Sequence, residues 1–196
     1  MHIHDGKGGG YAAEIDKTNR LQTWSVSEDE ALQANKEGRA FNVNTGWITL
    51  TNDTDTPILY LKNNESENII IDALAIGVGP STAGAGIGPK ITVIRNPTTG
   101  TIITSTPTDV DISSNRNYGS TRSLNADSYK GATGDTMTDG EDHILVLGST
   151  SSRVFLTISE VLPLGSSIGV KIEPPTSNTS MEVYVAAILH VSSTRR

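Results

Sequence analysis

The chain has 196 residues, a formal net charge of −7, 35% hydrophobic and 19% charged residues, and no cysteine. That length suits one packed domain rather than two, and the composition is polar without the charge-rich, core-poor profile of a disordered chain. An acidic surface with scattered Lys and Arg repels phosphate backbones, which argues against direct nucleic-acid binding. No apolar run approaches the ~20 residues needed to cross a bilayer. The opening MHIHDGKGGGYAAEID lacks the apolar centre of a signal peptide, so the expectation is a soluble protein made in the cytoplasm.

In chain order, residues 1–19 are glycine-rich and polar and are expected to form an extended N-terminal arm, ahead of a single domain over 20–196. RLQTWSVS alternates as a short strand would. EDEALQANKEG, Glu28 to Gly38, predicts the one helix: Ser27 stands at the N-cap, acids fill the first turn and Gly38 stops it. From Arg39 onward AFNV, GWITLTN, TPILYLKN, NIIIDALAIG, KITVIRN, GTIITST, HILVLGS, RVFLTISEVL, SSIGVKIE and MEVYVAAILHV predict about ten turn-bounded strands. That pattern predicts a mainly β fold, an antiparallel sandwich or barrel. Trp47 is expected in its core. Two polar segments, 77–90 and 107–141, are expected to be long loops.

Several stretches suggest chemistry and fail on their context. GVGPSTAGAGIGPK, Gly77 to Lys90, resembles a phosphate cradle, yet Lys90 follows Pro89 and KITVIRNP predicts a strand where a P-loop or dinucleotide fold needs a helix. GSSIG, Gly165 to Gly169, fits the serine-hydrolase elbow, with His190 and Glu173 or Glu182 as paper partners. VKIEPP then predicts another strand rather than the elbow's helix. DTMTDGEDH, Asp135 to His143, places Met137 and Val146 where a calcium loop needs oxygen ligands. It leaves only a looser carboxylate cluster of Asp135, Asp139, Glu141 or Asp142. His2, His4 and Asp5 have the spacing of a transition-metal grip, but a polar chain start accounts for them better. Asn52, Asn64 and Asn178 sit in glycosylation sequons, which carry no weight without a secretory signal. No catalytic constellation and no cofactor site remain, so the expectation is a protein that is not an enzyme.

Two blocks carry a resemblance. Glu14 to Asn64, with Asp16–Leu21 (DKTNRL), AFNVNTG at Ala40–Gly46 and ILYLKNN at Ile58–Asn64, is one. The tail LPLGSSIGVKIEPPTSNTSMEVYVAAILH, Leu162 to His190, is the other. Together they resemble the capsid decoration, or cement, proteins of tailed bacteriophages. The resemblance implies a jelly-roll β-sandwich, commonly a homotrimer, that binds the outside of the capsid and clamps neighbouring major-capsid subunits. It implies a virion protein assembled in the host cytoplasm. Tyr11, Arg20 and Trp24, on the arm and first strand, are of the types enriched at binding hot spots and are the candidate capsid contacts. The competing expectation is a trimeric jelly-roll receptor- or glycan-binding module of a tail fibre, using the loops 77–90 and 107–141. A third is a small β-sandwich enzyme with a carboxylate metal site near Asp135–His143.

Overall fold

The computed structural model describes residues 2–4, 12–14, 29–82, 88–105, 108–109, 113–149 and 151–193. Its first half holds β1 (His2–His4), β2 (Ala12–Glu14), α1 (Glu30–Lys36), β3 (Ala40–Asn44), β4 (Ile48–Leu50), β5 (Thr56–Asn63), β6 (Ile69–Ser81) and β7 (Lys90–Arg95). The second holds α2 (Thr101–Thr104), β8 (Thr108–Asp109), β9 (Ser113–Asn115), β10 (Ala126–Lys130), β11 (Glu141–Leu147), β12 (Ser152–Leu162), β13 (Ser167–Glu173) and β14 (Met181–Val191).

The protein is mainly β, built of two antiparallel six-stranded sheets. Sheet I runs β11-β7-β13-β5-β10-β8. Sheet II runs β12-β6-β14-β3-β9, with β4 also on β14. The eight long-range strands pair as one hairpin folded back on itself. β3 pairs with β14, β5 with β13, β6 with β12 and β7 with β11, all antiparallel. Successive pairs alternate between the sheets, so each crossing carries the chain from one layer to the other. Within the expected arm, β1 and β2 form a separate antiparallel pair with His2 opposite Glu14.

Period-two alternation builds the core. In β14 the residues Met181, Val183, Val185, Ala187 and Leu189 are all buried, while the intervening Glu182 is exposed. From sheet I, Ile58, Leu59, Leu61, Ile91, Val93, Ile168, Val170 and Ile172 join them in a single cluster. Each fully buried Val, Leu or Ile contributes about 1.5–3 kcal/mol over its exposed state, so this shared interior is the main stabilising feature.

The helix is shorter than Glu28–Gly38. Asp29 occupies the N-cap without a side-chain capping bond, and Ser27 lies outside the described residues. Its end follows the expected glycine stop. Gly38 takes φ +70°, its N–H reaches the Asn35 carbonyl, and the Arg39 N–H reaches that of Ala34. This is the paired closure that a left-handed glycine permits.

Three expectations are corrected. GTIITST is not a strand: Thr101–Thr104 forms the single turn α2, a second helix. Gly77–Ser81 is not loop but the end of the long β6. Gly77 there lies opposite Tyr184, and a Cβ at Gly77 would fall 1.9 Å from the Tyr184 ring. The glycine thus makes a slot for an aromatic ring. Nor is 107–141 structureless, since it supplies β8, β9 and β10.

Outside sheet I, α2 and the turn before β11 cover a second small cluster of Tyr60, Ile94, Ile102 and Met137. Met137 fits because Gly169 leaves room, where a Cβ would stand 2.4 Å from its methyl carbon. Tyr60 stacks on Tyr129 with centroids 6.0 Å apart. Burial pushes the Tyr60 hydroxyl above its ordinary value, opposed by its hydrogen bond with Ser167 and reinforced by the Asp127 charge. Tyr129 is raised as well, by burial and then by Asp127, Asp109 and Tyr60.

Candidate functional site

Two of the carboxylates read from the sequence as a loose metal cluster, Asp135 and Asp139, are instead stitching, while Glu141 and Asp142 stand exposed at the start of β11. Asp135 accepts hydrogen bonds from Thr101 Oγ1 at 2.8 Å and from the Ala132 N–H at 2.7 Å. Asp139 accepts one from Thr99 Oγ1 at 2.7 Å. These bonds sew the segment around α2 to the turn before β11. His143 faces Glu160, 2.7 Å away on the other sheet. Among the described residues, no group of three or more His, Asp and Glu side chains could hold a metal ion. The GSSIG turn leads directly into β13, and His190 lies elsewhere, on β14.

Tyr11, Arg20 and Trp24 lie outside the described residues, as do the side chains of His2 and His4. Trp47, expected in the core, is 60% exposed. It sits one residue before β4 and meets Tyr184 edge-on, with centroids 4.7 Å apart. The reason is parity: its neighbour Ile48 takes the inward position, so Trp47 turns outward. The sequon at Asn178 is closed to a glycan. Asn178 is 3% exposed, and its side chain donates to the carbonyls of Leu50 and Asn52 and accepts from Ser81.

Two surface features were not anticipated. The first is a cleft of about 530 Å³ on the outer face of sheet II, at the start of α1. Asp29, Glu30 and Arg116 stand among its lining, with Ile70, Phe155 and Ile188. Inside it His190 Nδ1 lies 3.1 Å from Asp72, while the buried Nε2 has no hydrogen-bond partner among the described residues. Among those residues no hydroxyl is within hydrogen-bonding reach of that nitrogen, so they do not form the geometry of a nucleophile and its base. Asp72 within NIIIDALAI and His190 within AAILHV were the available signals: single polar residues inside apolar strands.

The second feature is the edge formed by β11 and β12. Each is the terminal strand of its sheet, one of seven residues and one of eleven. Ile144, Val146, Val154, Leu156 and Ile158 point to the core yet are only partly buried. Leu145, Leu147, Phe155 and Val161 point outward and are 59%, 78%, 59% and 53% exposed. The His143–Glu160 contact closes one end of this seam, and the hydrogen bonds between Ser149 and Ser152 close the other. The interior of the protein reaches the surface along this line.

No helix of the described residues is long and apolar enough to cross a membrane. No family model, no curated protein and no solved structure matches the chain.

Proposed function

We propose that this protein is a jelly-roll virion component that binds the outside of a tailed-phage capsid and stabilises it by clamping neighbouring major-capsid subunits, as a homotrimer. The observation that carries the reading is the nested pairing of β3 with β14, β5 with β13, β6 with β12 and β7 with β11. A long antiparallel hairpin whose successive pairs alternate between two sheets is compatible with a jelly roll, a fold common in viral capsid proteins, and so supports this reading. It agrees with the resemblance of Glu14–Asn64 and Leu162–His190 to cement proteins. Fold alone does not specify function, so the capsid assignment rests on that resemblance.

The mechanism is linkage. A protein that binds only the mature lattice stabilises it by RT ln(1 + [L]/Kd) per site, and many sites per capsid multiply the effect. A net charge of −7 keeps such a coat from adsorbing nucleic acid. On the tail-fibre alternative, 126–140 would offer a fixed surface rather than a mobile loop, because it is held on sheet I by β10 and by the Asp135 and Asp139 bonds.

The experiment adds purified protein to capsids that lack it and follows thermal rupture. The expected result is saturable binding with a raised rupture temperature. Failure to bind, or binding without that rise, overturns the proposal. Copy number discriminates the alternative: hundreds per head fit cement, a handful on the tail fits a fibre.

A further inference from the structure

We infer that the β11–β12 edge is the surface through which copies of this chain join to one another. This deepens the oligomeric part of the reading above by naming the surface, and it does not depend on capsid binding.

Soluble proteins guard a free sheet edge with short strands, lysines, prolines, inward charges or a covering segment. β12 has eleven residues, SRVFLTISEVL, with no proline or lysine and with Arg153 and Glu160 as its charged residues. Glu160 is engaged with His143. In β11 the charges are confined to the start, at Glu141 and Asp142, and ILVL follows. Both strands also carry register shifts, at Asp142/Ile144 and Thr157/Glu160, of the kind that guards an edge. These leave Ile144–Leu147 and Val154–Thr157 as a regular stretch without charge, on a chain whose net charge is −7. Copies of an acidic protein repel each other except along such a strip. Permanent homo-oligomeric contacts have this apolar character, whereas transient contacts resemble the ordinary polar surface.

Size agrees. At ~3.3 Å per residue the eleven residues of β12 span about 36 Å and the seven of β11 about 23 Å, and two sheets ~10 Å apart with their flanking side chains make a face roughly 20 Å wide. That is about 600 Å², the low end of the ~600–1,000 Å² per partner of a stable association. A strand edge also carries both donors and acceptors, so β11 of one copy can pair with β12 of the next, a head-to-tail contact that closes as the ring of three proposed above. Joining the edges would finish the burial of Val154, Leu156, Ile158, Ile144 and Val146, which the single chain leaves partial.

The test is sedimentation velocity on the full chain, without capsids, across a concentration series, for wild type and for Leu145→Lys/Phe155→Lys. Both side chains are outward and exposed, so the single-chain fold tolerates the change. Wild type is expected at a multiple of the chain mass, and the double variant at the monomer mass where wild type is fully assembled, with an unchanged circular dichroism spectrum. A monomeric wild type overturns the inference, as does a folded double variant that still assembles. Should the variant fail to fold, amide exchange on wild type decides. Slow exchange along β12 that quickens on dilution supports the inference, and rapid exchange at every concentration overturns it. Capsid attachment through this edge by a chain that is monomeric in solution is likewise a failing outcome. A missing rise in capsid rupture temperature affects only the earlier proposal.

Discussion

Where β3 and β5 approach the margins of their sheets, the chain itself bridges the gap; along β11 and β12 no described segment does. On the bridged side β9 pairs with β3 and β10 with β5, and residues 116–125 cross from one sheet to the other. Leu124 and Ala126 pack against the core at that crossing. Polar side chains fix it in place. The Asn115 side chain reaches the carbonyls of Gly38 and Arg122 at 2.8 and 3.1 Å, and its oxygen accepts from the Asn117 N–H. Glu65 accepts the Asn125 N–H at 2.9 Å and meets Arg122. Asn64 donates to Asp127. A seam between two sheets is thus closed by a covering segment whose backbone and side-chain bonds are satisfied internally. The other seam has the same kind of apolar interior and no cover among the described residues, which is the ground for the proposed contact with a second copy.

The largest effect that probes this difference is expected at Asn63, which is fully buried between the two sides. Its side chain donates to the carbonyls of Leu162 on β12 and of Glu67, and accepts the Glu65 N–H. Asn63→Leu strands those groups and is expected to lower unfolding free energy by on the order of 3 kcal/mol, read from urea titrations. A change below about 1 kcal/mol would show that neither side depends on this tie. Next, Asn115→Ala is expected to cost about 1–2 kcal/mol. Faster amide exchange should be confined to residues 113–127 and leave β11 and β12 untouched. Exchange that quickens equally at both margins would erase the distinction.

A smaller effect concerns Tyr60 and Tyr129, beside the bridged margin. Their raised pKa values mean that the folded protein holds two protons which the unfolded chain releases from about pH 10 upward. Stability from these groups is present below that pH and is lost as pH rises through the folded values. Urea midpoints should fall above pH 10, and the fall should flatten in Tyr60→Phe/Tyr129→Phe. The smallest effect on the single chain is expected at the uncovered margin. Phe155→Lys should change monomer stability by less than about 0.5 kcal/mol, while abolishing the dependence of wild-type stability on protein concentration. A large loss independent of concentration would mean that Phe155 packs within one chain.

Residue patterns alone carried much of the architecture. Alternation in MEVYVAAILHV dictates a strand with one buried face, because successive side chains on a pleated backbone point to opposite sides. TPILYLKN, apolar at successive positions, is instead covered on both faces. The Gly38 stop and the dismissal of a phosphate loop before KITVIRN were likewise legible, since each depends on local backbone chemistry. What failed were readings that need a partner distant in sequence. GTIITST has strand-forming residues, yet Thr101 and Thr104 spend their hydroxyls on Asp135 and the Gly100 carbonyl, and the segment closes into a turn over Ile94 and Met137. Gly77 looked like loop until Tyr184, across the sheet, filled the space above it. Trp47 looked like core until the parity of β4 turned it outward.

By itself, then, the sequence determined that the chain would be a mainly β protein with little helix, because alternation, turn residues and caps act over a few neighbours. Only the tertiary structure decided which strands pair, which polar residues become stitching, and which margin is left bare. Those outcomes depend on contacts between residues such as Asn63 and Leu162, or Tyr184 and Gly77, that no local pattern records. The carboxylates of Asp135 and Asp139 changed from candidate ligands to structural acceptors for that reason. The edge strand SRVFLTISEVL acquired meaning from its position at the end of a sheet, where its free backbone groups face outward.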